Sequence, residues 1–276
     1  MHTSDATGPR AFSGLPPVPG TPGLTASVRG THNTLRSTVW EGGAVNLLKP
    51  QDREALRRRF EKELVGDVTL TLFTTSRAGL ALPGADCETC EATQQLLEEV
   101  AALDPRIHLK VRSIVTDAEE ARAAGVEGVP AILIGEDGQA RARYYGIPAG
   151  LEFAVLVEDI VAASRADSGL KPETRQALAR LQRPVHIRVF VTPTCPYCPG
   201  VARLAHAMAQ ESEKIRADVV EAMEFPELAD RYGVMGVPKV VLNEAWSFEG
   251  ARPEEAFLQY VLQASGAGEP APQVQR

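Results

Sequence analysis

The chain has 276 residues, of which 44% are hydrophobic and 24% charged, with a formal net charge of −7. That length and apolar content suffice for two cores of ordinary size, and the acidic balance gives no electrostatic reason to expect nucleic acid or an anionic membrane as a partner. The longest apolar runs are strand-sized, far short of a bilayer span, which predicts a soluble protein.

Residues 1–45 are built of breakers without periodicity, such as Gly14-Leu15-Pro16-Pro17-Val18-Pro19-Gly20, and predict a disordered N-terminal extension. Trp40-Glu41-Gly42 followed closely by Val45 also fits an internal translation start. Lys49-Pro50 then opens an amphipathic helix with proline at its first position, where the missing N–H costs nothing. Val68, Leu70 and Leu72 alternate with Asp67, Thr69 and Thr71, the period of a half-buried strand. Cys87 lies fourteen residues after Phe73, and Cys87-Glu88-Thr89-Cys90 leads into a helix carrying Leu96, Leu97 and Val100. Gly128-Val129-Pro130 then precedes the apolar run Ala131-Ile132-Leu133-Ile134.

The same order then repeats. Lys171-Pro172 opens a helix, Val185, Ile187, Val189 and Val191 alternate with His186, Arg188 and Phe190, and Cys195-Pro196-Tyr197-Cys198 opens a helix with Val201, Leu204 and Met208 on one face. Gly236-Val237-Pro238 precedes Val240-Val241-Leu242. Both the CxxC and the Val-Pro recur at an offset of 108 residues, which describes a duplicated redox unit. Phe190 lies five residues from Cys195, so the first copy carries an insertion around Ala78–Gly84, beside its cysteines.

A CxxC between a strand and a helix has a chemical logic. A cysteine at the helix start faces unpaired N–H groups and the positive end of the macrodipole, which favours thiolate, the attacking species. A second cysteine one turn on can close a disulfide or resolve a mixed one. The Val-Pro bonds are expected to be cis, leaving the backbone of Val129 and Val237 to pair with an extended substrate segment. All four cysteines fall in the two pairs, and no apolar run follows Met1, so a cytoplasmic, reducing compartment is expected.

Two other readings compete. A shared Cys₄ zinc site would need pairs about 15 to 20 residues apart, whereas 104 residues separate Cys90 from Cys195. A redox-inactive binding or chaperone scaffold would have no use for intact cysteines in both copies. His108, His186 and His206 are expected on solvated surface. Asp86, Glu88 and Glu91 are read as electrostatic neighbours of the first pair, and Thr194, Pro196 and Tyr197 place no charge beside Cys195.

The tandem units, Cys195-Pro196-Tyr197-Cys198, Asp230-Arg231-Tyr232-Gly233-Val234-Met235-Gly236-Val237-Pro238 and Arg143-Tyr144-Tyr145-Gly146-Ile147-Pro148-Ala149-Gly150 together resemble the glutaredoxin-like protein disulfide oxidoreductases of thermophilic prokaryotes. The likeness runs from about Asn46 to Gly266, and the N-terminal tandem domain of the flavoprotein component of alkyl hydroperoxide reductase is similar too. The resemblance implies an α/β fold of two tandem thioredoxin-like domains, 46–168 and 169–268, each a central mixed β-sheet flanked by helices, with residues 269–276 as a disordered tail. It implies thiol–disulfide exchange with protein substrates, or a relay of electrons to a peroxidase, with no cofactor beyond the disulfides and a flavin-dependent thioredoxin reductase as electron donor. Cys195 would be the nucleophile and Cys198 the resolving thiol, Cys87 and Cys90 the same in the first unit, with Val237, Pro238, Val129, Pro130 and Tyr197 lining the substrate site. Cys-Glu-Thr-Cys departs from the family's usual motif, and Gly-Val-Pro replaces the Thr-Val-Pro with which glutaredoxins hold glutathione.

Overall fold

A computed structural model describes residues 46–75, 87–135 and 140–266. The N-terminal extension, the insertion at Ala78–Gly84 with Asp86, and the C-terminal tail all lie outside the described residues. In chain order the first copy comprises α1 (Pro50–Glu63), β1 (Val68–Thr74), α2 (Cys90–Ala101), β2 (Ile107–Ser113), α3 (Ala118–Ala123), β3 (Ala131–Ile134), β4 (Ala142–Tyr145) and α4 (Phe153–Arg165). The second comprises α5 (Pro172–Ala179), β5 (Val185–Val191), α6 (Cys198–Glu211), β6 (Ile215–Glu221), α7 (Pro226–Arg231), β7 (Lys239–Leu242), β8 (Trp246–Glu249) and α8 (Glu254–Ala264). Proline occupies the first position of α1 and α5, as its fixed φ favours.

Each copy builds the same four strands, in order β2-β1-β3-β4 and β6-β5-β7-β8. The central strand pairs parallel with the strand after the CxxC helix and antiparallel with the strand after the Val-Pro. The two sheets are one. β4 pairs parallel with β6, Ala142 against Ala217 through Tyr145 against Val220, giving a continuous eight-stranded sheet. A separate unit would expose an unpaired strand edge at each of these positions, and their pairing satisfies both ladders at once. The outer edges carry charge instead, Lys110 and Arg112 on β2 and Glu249 on β8, which discourages further pairing.

The central strands are more buried than their alternation suggests. In β1 and β5 only the second residue is partly exposed, and Thr71 and Arg188 are buried on the face read as polar. Helices cover both faces of the sheet. One core, running through both copies, lies under α2, α4 and α6, and a smaller one around Phe73, Phe190, Val220 and Val241 lies on the face covered by α3 and α7.

His206 corrects an expectation. It is wholly buried, with Nδ1 2.6 Å from the Asp159 carboxylate and Nε2 2.9 Å from the Arg143 carbonyl oxygen. The apolar face of α6 packs on its own sheet, but α4 of the first copy covers its flank, so His206 points into a second interface. His186, half-buried, bonds Asp218 at 2.6 Å, and His108 is exposed beside Asp67.

Candidate functional site

Both CxxC pairs stand where a central strand turns into a helix. Cys87–Cys90 and Cys195–Cys198 are each disulfide-bonded, with Cα atoms 5.4 Å apart in both. The second cysteine of each pair is the first helical residue, so the first lies just ahead of the helix rather than within it. Burial follows the same polarity: Cys198 is fully buried and Cys90 nearly so, whereas Cys87 borders solvent and Cys195 keeps 7% of its surface. The outer sulfur is therefore the one an incoming disulfide meets first.

The Val129–Pro130 and Val237–Pro238 bonds are cis. Pro130 and Pro238 are buried while Val129 and Val237 are half-exposed, and Cys195 Sγ lies 3.7 Å from the Val237 carbonyl oxygen. Tyr197, 67% exposed, stands between the second pair. The structure thus brings Cys195, Cys198, Tyr197, Val237 and Pro238 to one end of the second copy, and Cys87, Cys90, Val129 and Pro130 to the matching end of the first.

Each copy braces the other's site. The Leu151 N–H donates to the Pro193 carbonyl at 2.9 Å, two residues before Cys195. Gly150, with φ of +57°, makes this approach possible, since a Cβ there would lie 2.6 Å from the Pro193 oxygen. In the other direction, Glu224 of the second copy accepts a hydrogen bond from the Thr89 hydroxyl, inside the first CxxC, and one of 2.8 Å from the Ile147 N–H. Gly146, with φ of +103°, leaves room for it, because a Cβ would lie 2.8 Å from Glu224 Oε1. The segment Tyr145–Leu151 therefore touches both sites. Its motif could be read in the sequence as part of a family pattern, but not as a crossing between copies.

The junction holds buried ionisable groups that composition and periodicity do not reveal. Glu152, wholly buried, has no hydrogen-bond partner for either oxygen among the described residues. Burial pushes its pKa up to about 7; His206 opposes that shift, and Asp159 and Glu221 add to it. Asp218 is as deeply buried, which alone would raise its pKa. The hydrogen bond from His186 and the nearby guanidinium groups of Arg216 and Arg143 hold it below the usual carboxylate value. A cavity of about 760 Å³ opens between the copies, lined by Glu127, Tyr145, Arg188, Asp218, Glu224 and Phe225 among others. Among the described residues no His, Cys, Asp and Glu cluster is placed to hold a metal ion, and no helix is long and apolar enough to cross a membrane.

Comparison with known proteins agrees with this geometry. The thioredoxin domain family matches residues 81–149 and again 185–263. A solved protein disulfide oxidoreductase from Aeropyrum pernix is 34% identical, with a TM-score of 0.72 over 81% of this chain and 96% of that one. A thioredoxin from Methanocaldococcus jannaschii is 35% identical over 78 residues, 28% of this chain and 92% of its own length. The F component of alkyl hydroperoxide reductase from Staphylococcus aureus is 26% identical over 165 residues, which are 58% of this chain and 29% of that protein.

Proposed function

The chain belongs to the thioredoxin domain family, as a protein disulfide oxidoreductase of two tandem units, and from that premise we propose that it exchanges disulfides with protein substrates chiefly at Cys195–Cys198. The Cys195 thiolate attacks a substrate disulfide; the substrate S–S bond breaks, a mixed disulfide forms, and the departing sulfur takes a proton. Cys198 then attacks Cys195 Sγ, closing the disulfide and releasing the second substrate sulfur. Two electrons pass from enzyme to substrate. In reverse the same steps oxidise a dithiol.

The observation that carries this reading is the graded burial of each pair, the first cysteine keeping more exposure than the second: Cys87 is partly exposed over a buried Cys90, and Cys195 retains 7% over a fully buried Cys198. An inner thiol that no substrate can reach is suited to resolving a mixed disulfide and unsuited to starting one. Val237 and Pro238, with Tyr197, would hold an extended segment across the second site, and Val129 and Pro130 across the first. Cys87 and Cys90 take the corresponding roles there. A flavin-dependent thioredoxin reductase in the cytoplasm would return electrons to the oxidised pairs. The likeness to the F component of alkyl hydroperoxide reductase favours, as a second reading, a relay toward a peroxidase.

Replacement of Cys198 by Ala removes the resolving step, so Cys195 should accumulate mixed disulfides with proteins in cytoplasmic extract, identified by mass spectrometry after non-reducing separation. Protein adducts support a protein-disulfide role, and an excess of one peroxidase among them would favour the relay. Adducts of glutathione alone would defeat both.

A further inference from the structure

We propose that Glu224, a residue of the second unit, is a positioning residue of the first unit's redox site and makes the Cys87–Cys90 pair a stronger reductant than its own motif would. The inference rests on that pair being redox-active and adds the group that sets its strength.

Glu224 stands in the turn between β6 and α7, held by its own N–H donating to Glu221 at 2.7 Å. From there its carboxylate crosses the junction. One oxygen accepts from the Ile147 N–H at 2.8 Å and the other from the Thr89 hydroxyl. Thr89 lies between the two cysteines, so the carboxylate is fastened to the motif itself. Glu224 is half-buried and has no ion-pair partner among the described residues. Of the other acidic residues of the motif region, Glu88 and Glu91 are exposed to solvent, which screens them, and Asp86 lies outside the described residues. Glu221, whose own pKa is raised by burial, stands behind Glu224 and adds no positive charge.

Two consequences act in one direction. The disulfide is neutral and the reduced pair carries a thiolate, so an unneutralised carboxylate in a poorly solvated junction penalises the reduced form. The Thr89 hydroxyl, its one O–H directed to Glu224, is also withdrawn as a donor to sulfur. Reduction adds two electrons to the disulfide and takes up two protons, or one where Cys87 remains thiolate, and Glu224 opposes the second product. The matching position in the second site, Tyr197, is 67% exposed and holds no carboxylate of the other unit among the described residues.

The test uses the full chain with Cys195 and Cys198 both replaced by Ser, so that only the first pair titrates in a dithiothreitol redox buffer at pH 8. Glu224→Gln keeps one carbonyl acceptor for the Ile147 N–H, turns the atom facing the Thr89 hydroxyl into a donor, and removes the charge. It should shift the exchange constant toward the reduced form by about threefold to tenfold, roughly 15 to 30 mV, while Glu227→Gln, a nearby exposed carboxylate, leaves it unchanged. Thr89→Val serves where the glutamine variant folds poorly. It unfastens the carboxylate while keeping the side-chain shape, and should shift the potential the same way by less, non-additively with Glu224→Gln. A Glu224→Gln potential equal to or below the parent's overturns the inference and leaves the exchange activity standing. A first pair that never titrates removes the activity on which the inference rests.

Discussion

The two CxxC sites are built from the same four strands and the same cis Val-Pro, yet they differ in what surrounds them. The second pair is flanked by Pro196 and an exposed Tyr197, and the Gly150–Leu151 turn of the other unit stands behind it at Pro193. The first pair has Glu224 and Phe225 of the other unit against its motif and its Gly128 turn. Duplication gave two copies of the chemistry, but fusion of the sheets at β4 and β6 put the copies in unequal positions. One site stayed open at Tyr197, although Cys195 itself is more buried than Cys87, and the other was drawn into the junction.

The largest effect should come from deleting each nucleophile in turn. With no charged side chain in the Cys195-Pro196-Tyr197-Cys198 motif and Tyr197 exposed, Cys195→Ser should cut insulin-disulfide reduction to below roughly a tenth of the parent rate, while Cys87→Ser leaves about half or more. Equal losses would mean that the sites work in series, and the contrast in their surroundings would then have no bearing on their use.

A second prediction probes the junction through Glu152. An ordinary glutamate titrates near 4.5 and burial lifts this one to about 7. Between those values the folded chain holds a proton that the unfolded chain has lost, so this group's contribution falls as pH rises from about 4.5 to 7 and is level above that. The whole effect is on the order of 3 kcal/mol at most. Glu152→Gln should therefore stabilise the chain against urea at pH 8 and give no gain at pH 4.5. A parallel offset at both pH values would mean that Glu152 does not hold its proton in the fold.

Much of this is legible in the sequence. The repeated CxxC and Val-Pro, Pro50 and Pro172 as helix starts, and the apolar runs at Val68 and Val185 carry both the fold and the residues of each site, because local spacing is what strand, helix and redox motif leave in a sequence. The junction leaves no such trace. Periodicity reports that a face is buried but not by what, so His206, off the apolar stripe of α6, reads as surface although α4 covers it. Arg188 looks polar-phased for the same reason, its face being covered by the α3 and α7 side of the fold. Glu224 lies 135 residues from Thr89, and nothing in its neighbourhood signals that it belongs to the first site.

The smallest effect is the order of the two potentials. Negative charge near a thiolate raises its pKa and lowers the potential of the couple, because the reduced form is the one that carries the charge. Near the first pair stand Glu88, Glu91 and the fastened Glu224, whereas Thr194, Pro196 and Tyr197 bring no charge to Cys195. Pro196 works against the contrast by removing one N–H that would face the Cys195 sulfur. One pKa unit corresponds to about 1.4 kcal/mol, or about 30 mV for a two-electron couple, and solvent around Glu88 and Glu91 reduces their share. The Cys87–Cys90 couple should thus lie below the Cys195–Cys198 couple by up to about 30 mV, so that electrons run from the junction site toward the open one wherever the two communicate. Redox titration of the two double-serine variants, each keeping one pair, measures the gap directly. A first pair at equal or higher potential would mean that local charge does not order the sites, and the open site would then have to be refilled by an outside reductase without help from its twin.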